Sequence, residues 1–101
     1  MVRWTPKSEE DLDLIREHIA PNFGVDLAIE TVRNIVQQTE TVLSRNPLAG
    51  AVVESNPLFS KLVVDGNAVF YCENPKDRHL YIVYVQPRHT SHKLQRLKAN
   101  F

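Results

Sequence analysis

Residues 28–43 set the strongest constraint on how this chain folds. Ala28, Val32, Ile35, Val36, Thr39, Val42 and Leu43 recur at steps of three and four, which places them on one stripe of a helix. A stripe that continuous must be buried against a second layer. The boundaries are also written in the sequence. Asp26 is a candidate cap for the start, and Asn46 precedes Pro47, which pushes it out of the helical region and ends the run. The pattern predicts a helix over 26–46, roughly 30 Å long.

Upstream, Val2-Arg3-Trp4 reads as a short strand over 2–4. Thr5-Pro6 reads as a helix cap followed by proline at the first helical position, where its missing N–H costs nothing. Glu9, Glu10 and Asp11 suit the positive end of the helix dipole, and Leu12, Ile15 and Ile19 give an apolar face. This predicts a helix over 6–20, broken by Pro21-Asn22-Phe23-Gly24. Two helices joined by so short a turn form an αα-hairpin.

Downstream, 47–59 reads as a loop. Strands are expected over 60–65, 67–73 and 79–86, the first two joined by Asp65-Gly66, a strong hairpin dipeptide, and the last ended by Pro87. Leu80 to Val85 is bulky throughout, as in a strand buried on both faces. The expected architecture is α+β. It has a short N-terminal strand and an αα-hairpin packed on an antiparallel sheet with a C-terminal three-stranded meander, in one domain over 1–101. A basic tail over 88–101 completes the chain.

Composition narrows the function classes. The chain of 101 residues is 43% hydrophobic with zero formal net charge, an ordinary globular composition. Charge is unevenly spread. Residues 1–57 carry five Lys/Arg against nine Asp/Glu, and residues 58–101 carry seven against three. A basic C-terminal edge suits an acidic partner, protein or nucleic acid. Cys72 is the only cysteine, so no internal disulfide can form and a reducing compartment is expected. With no signal-like or membrane-length apolar run, a cytoplasmic protein without membrane contact is expected.

Several chemistries lack their residues. His89 and His92 have a spacing a metal can use, but zinc needs three or four ligands, and His18, His79 and Cys72 sit in other elements. No metal or cofactor is expected. A lone mid-strand cysteine is a core residue more often than a nucleophile. No glycine-rich phosphate loop exists, and no small-molecule substrate is implied. Metal-free RNA cleavage needs a base, an acid and cations for the developing phosphorane charge. Lys61, Tyr84, Arg88, His89 and His92 are residue types that supply them.

Together these stretches resemble the RelE/ParE superfamily of bacterial toxins from type II toxin–antitoxin systems. The resemblance runs from residue 2 to about 93. It rests on VRWTPKSEEDLDLI, with Asp11, Leu12 and Ile15; on NPLAG, with Pro47 and Gly50; on KLVVDGNAVFYCE, with Tyr71; and on IVYVQPRHTSHK, with Arg88 and His89. Lys61 stands where arginine is often found, Asn67 where an aromatic is common, and His92-Lys93 where Arg-Asp is usual.

The resemblance implies a toxin neutralised by a cognate antitoxin. RelE-like members cut messenger RNA on the ribosome, whereas ParE-like members inhibit DNA gyrase and lack a nuclease site. Binding ribosomal RNA favours a strongly basic domain. A pI near 6.9 therefore favours the ParE-like reading, a gyrase inhibitor without catalytic residues. Lys61, Arg88, His89, Lys93, Arg96 and Lys98 are then its contact surface for gyrase or antitoxin. The enzyme alternative is a ribosome-dependent mRNA endonuclease using Lys61, Tyr84, Arg88, His89 and His92. A third reading is a binding module that kept the fold and lost the toxicity.

Overall fold

Chain order is strand, two helices, then four strands: β1 (Val2–Trp4), α1 (Pro6–Phe23), α2 (Val25–Arg45), β2 (Ala51–Val52), β3 (Ser60–Val64), β4 (Asn67–Glu73) and β5 (Leu80–Gln86). The structure, a computed structural model, describes residues 1–88. The five strands form one sheet in the order β1-β5-β4-β3-β2. The α+β architecture expected from the sequence is the one observed, with three corrections.

The first concerns α1, which does not stop at Ala20. Pro21 lies inside it, and the helix runs to Phe23. A proline in the last turn forfeits one helical hydrogen bond without bending a body of helix beyond it. Gly24 is the true stop. Its φ of 99° and ψ of 154° lie in a region closed to side-chain-bearing residues, and its N–H still reaches the Ala20 carbonyl at 3.0 Å. Gly24 also serves as the cap of α2, which has no side-chain cap; Asp26 falls in the first turn and acts only on the dipole.

The second is that the sheet is mixed. β1 lies parallel to β5, with Val2 opposite Leu80 and Trp4 opposite Ile82. The hairpins force β3, β4 and β5 to alternate, but β1 reaches its neighbour through the helices and is free of that rule. The third is β2, inside the expected loop. Its two residues pair antiparallel with Lys61 and Ser60, forming a minimal, exposed edge strand.

The helices cover one face of the sheet. Leu12, Ile15, Ile35 and Leu43 pack with Val64, Val69, Tyr71, Ile82 and Val85. Within the α2 stripe Ala28, Ile35, Thr39 and Leu43 are buried, while Val42 at its margin is 36% exposed. The opposite face carries a smaller cluster, Phe59, Phe70, Cys72 and Val83.

Polar groups tie the layers together. The Thr5 hydroxyl accepts from the Ser8 N–H, capping α1, and donates to the Ile82 carbonyl at 2.8 Å just past the end of β1. Trp4 Nε1 donates to Glu40 of α2 at 3.2 Å. Tyr71 donates to the Pro47 carbonyl at 3.0 Å and accepts from the Gly50 N–H at 2.9 Å, fixing the loop after α2. A Cβ on Gly50 would lie 2.6 Å from the Tyr71 hydroxyl oxygen and 2.9 Å from the Lys61 carbonyl oxygen. That close approach is the physical content of the Pro47-x-x-Gly50 motif. Among the described residues no helix is long and apolar enough to cross a membrane.

Candidate functional site

β5 contains the irregularity that shapes the outer face, the one turned away from the helices. Phe70 pairs with Tyr84, and Tyr71 pairs with Ile82, leaving Val83 as an extra residue in β5. Such a bulge turns two successive side chains to the same side. Ile82 and Val85 point into the helix-side core, whereas Val83 and Tyr84 both join the outer cluster. With strict alternation Tyr84 would have faced the helices.

Lys61, Phe70 and Tyr84 therefore form one row across β3, β4 and β5, since Lys61 is opposite Phe70 and Phe70 opposite Tyr84. The Phe70 and Tyr84 rings meet edge to face, with centroids 5.9 Å apart and planes at 61°. Lys7 of α1 places its ammonium 5.2 Å from the centre of the Tyr84 ring. It also pairs with Asp11, and that hydrogen bond is the main cause holding the Lys7 pKa above its usual value. Lys7 is thus a fixed cation and not a base.

Asp11 is buried at 4% exposure, and its second oxygen accepts from the Val85 N–H at 2.9 Å. Beyond Trp4 there is no β1 residue beside β5, and this carboxylate takes the place of the missing strand. Along the row lies a hollow of about 610 Å³, lined by Ala51, Val52, Glu54, Lys61 and Phe70. Nearby, burial pushes the Cys72 thiol up to about 11, which leaves it a core residue and a poor nucleophile. Toward β1, Asp77 accepts from the Tyr81 hydroxyl and the His79 N–H. These bonds lower the Asp77 pKa, the hydroxyl contributing most, and the same carboxylate raises that of Tyr81.

Arg88 is elsewhere. Its N–H donates to Asn67 Oδ1 at 2.9 Å, while the Asn67 amide donates to the Val64 and Asp65 carbonyls. Asn67 thereby clasps the β3–β4 turn, where Asp65 and Gly66 have φ of 50° and 82°, to the chain leaving β5. Arg88 lies four positions beyond Tyr84, about 13 Å along an extended chain. It lines a groove of about 320 Å³ at the tip of the helical hairpin, with Ile15, Ile19, Phe23 and Leu27, and with His18 and Asp65.

So Lys61 and Tyr84 share the outer face, and Arg88 belongs to a different surface. His89, His92, Lys93, Arg96 and Lys98 lie outside the described residues. Sequence reasoning missed Lys7, Asp11 and Asn67 as organisers of these surfaces. The Lys7-x-x-x-Asp11 spacing was a usable signal, because residues four apart on a helix meet. Asn67 immediately after Asp-Gly was another. Among the described residues no group of three His, Cys, Asp or Glu is placed to hold a metal ion.

No protein-family model and no curated protein matches the chain. Solved structures do match. A chain described as "Chromosomal ParDE TA system from P. aeruginosa" superimposes with a TM-score of 0.73 at 25% identity, covering 84% of this chain and 91% of that one. The resemblance to ParE-like members drawn from the sequence motifs is borne out at the level of the fold.

Proposed function

We propose that this protein is the toxin of a ParDE-type toxin–antitoxin pair, acting by binding DNA gyrase and held inactive by a cognate antitoxin in the cytoplasm. The observation that carries the reading is the likeness to a ParDE chain, which extends over 84% of this protein and 91% of its counterpart. Charge supports gyrase over the ribosome. A pI near 6.9 supplies little of the phosphate neutralisation that dominates binding to RNA. The separation of Arg88 from the Lys61–Tyr84 row points the same way, because a nuclease needs its cation within contact of the acid and base. Under this reading the surfaces around Lys61 and Arg88 bind, together with His89, Lys93, Arg96 and Lys98, which lie outside the described residues.

One observation favours the second reading, a ribosome-dependent mRNA endonuclease. The bulge brings Tyr84 onto the outer face beside Phe70, in a row with Lys61 and beneath the Lys7 ammonium. A phenol beside a cation is suited to an anionic transition state. Of the other residues this reading calls on, Arg88 lies on a different surface, and His89 and His92 lie outside the described residues.

Induction of the protein in growing bacterial cells separates the readings. The gyrase reading expects growth arrest with a DNA-break response and intact messenger RNA. Cleavage of messenger RNA before any change in DNA supercoiling would replace it with the nuclease reading. Normal growth at high expression would leave only a non-toxic binding module.

A further inference from the structure

A sheet edge is a template for further pairing, and native edges are blunted with charges, proline or bulges. The two edges of this sheet differ in that respect. β1 carries the exposed Arg3 and runs into Pro6. β2 and its flanks, Gly50-Ala51-Val52-Val53, hold no charge and no proline. Val53 donates its N–H to the Phe59 carbonyl at 3.0 Å, toward β3. Backbone groups alternate along a strand, so the N–H and C=O of Val52 point away from β3. Among the described residues neither has a partner.

Apolar surface gathers at the same edge. Val52 is 62% exposed. Leu48 and Leu58, on the segments entering and leaving β2, are 87% and 81% exposed, the highest values of any large apolar side chain among the described residues. The hollow along Ala51, Val52 and Ser55 keeps the outer side of the edge open. The register also suits self-pairing. An antiparallel pair centred on Val52 lets the Val52 of each copy donate to and accept from the other. It sets Ala51 opposite Val53, and Gly50 opposite Glu54, of the second copy. Glu54, the nearest charge in sequence, thus meets a glycine and stands about 13 Å along the strand from its own counterpart. A net charge of zero adds no long-range repulsion between copies.

We infer that two copies of this chain pair antiparallel through β2, about a two-fold axis at Val52, joining their sheets edge to edge. The reciprocal Val52 hydrogen bonds and a modest apolar contact make a weak dimer, half formed at about 100 μM. β5 is separated from β2 by β4 and β3, so the pairing does not cover the surfaces of Tyr84 and Arg88. The dimer offers each of those surfaces twice, and a divalent target gains avidity from it. This holds whichever target the protein acts on.

Sedimentation of the full chain from about 10 μM to about 1 mM tests it, together with amide hydrogen exchange at the two ends of that range. The expected result is a monomer that becomes a dimer as concentration rises. Exchange of the Val52 amide should be about fivefold slower at the high concentration, and that of Val53, already bonded to Phe59, unchanged. Val52→Pro deletes the outward N–H, which the β2–β3 ladder does not use, and is expected to weaken the dimer about tenfold or more. A chain that stays monomeric at about 1 mM overturns the inference and leaves the edge to a strand of another protein. So does a dimer whose Val52 exchange is independent of concentration, or one that Val52→Pro leaves intact, because its interface then lies elsewhere.

Discussion

The same strands give the sheet two unlike faces. Toward the helices, Val64, Val69, Tyr71, Ile82 and Val85 are sealed beneath two helices. Thr5, Asp11 and Tyr71 take backbone partners there, while the buried Thr39 hydroxyl has no hydrogen-bond partner among the described residues. Away from the helices, Phe59, Phe70, Cys72 and Val83 form a thin cluster, and Lys61 and Val63 stay exposed around it. Alternation along a strand makes the two faces independent, so one can be spent on stability while the other varies with function. The difference teaches where to look: substitutions on the helix face should act through folding, and those on the outer face through binding.

The sharpest way to break that comparison is Ile35→Ala. Ile35 is fully buried beneath the sheet, and its truncation is expected to destabilise the protein by about 2–5 kcal/mol in urea unfolding. A cost under about 1 kcal/mol would mean the helices pack loosely and the contrast between faces is false. Asp11→Ala should follow at about 1–3 kcal/mol, because it strands the Val85 N–H where no neighbouring strand can take it. The same variant sharpens the comparison, since it also frees Lys7 above Tyr84 on the outer face. Tyr71→Phe removes two hydrogen bonds to the Pro47–Gly50 loop and is expected to cost about 1–2 kcal/mol, read by the same unfolding. Lys61→Ala lies at the other extreme. Its exposed side chain should change stability by less than about 0.5 kcal/mol, leaving any loss of growth arrest on induction to be read as a loss of function.

Local signals carried much of this fold into view. The stripe from Ala28 to Leu43, the Thr5-Pro6 cap and the Asp65-Gly66 turn each act within a few residues, and each sits where the sequence places it. What stayed hidden depends on distant partners. The parallel alignment of Val2 with Leu80 joins opposite ends of the chain, and the two-residue β2 exists only because Lys61 and Ser60 lie beside it. The bulge at Val83 could not be read from LYIVYVQ, where nearly every residue suits either face. That single displacement decides which way Tyr84 points. The candidate site was therefore half legible: Lys61 and Tyr84 share a face, but Arg88 is held at the helical groove by Asn67, whose only local trace is its place directly after Asp65-Gly66.

The most direct measurement adds purified protein to a DNA gyrase supercoiling reaction, alongside the double variant Lys61→Ala with Tyr84→Phe, and runs both in a ribosome-dependent translation reaction. The gyrase reading predicts that the unaltered protein abolishes supercoiling while messenger RNA stays whole. The double variant should then inhibit gyrase with at most a weakened affinity. Untouched supercoiling, with messenger RNA cut by the unaltered protein and spared by the double variant, would contradict it.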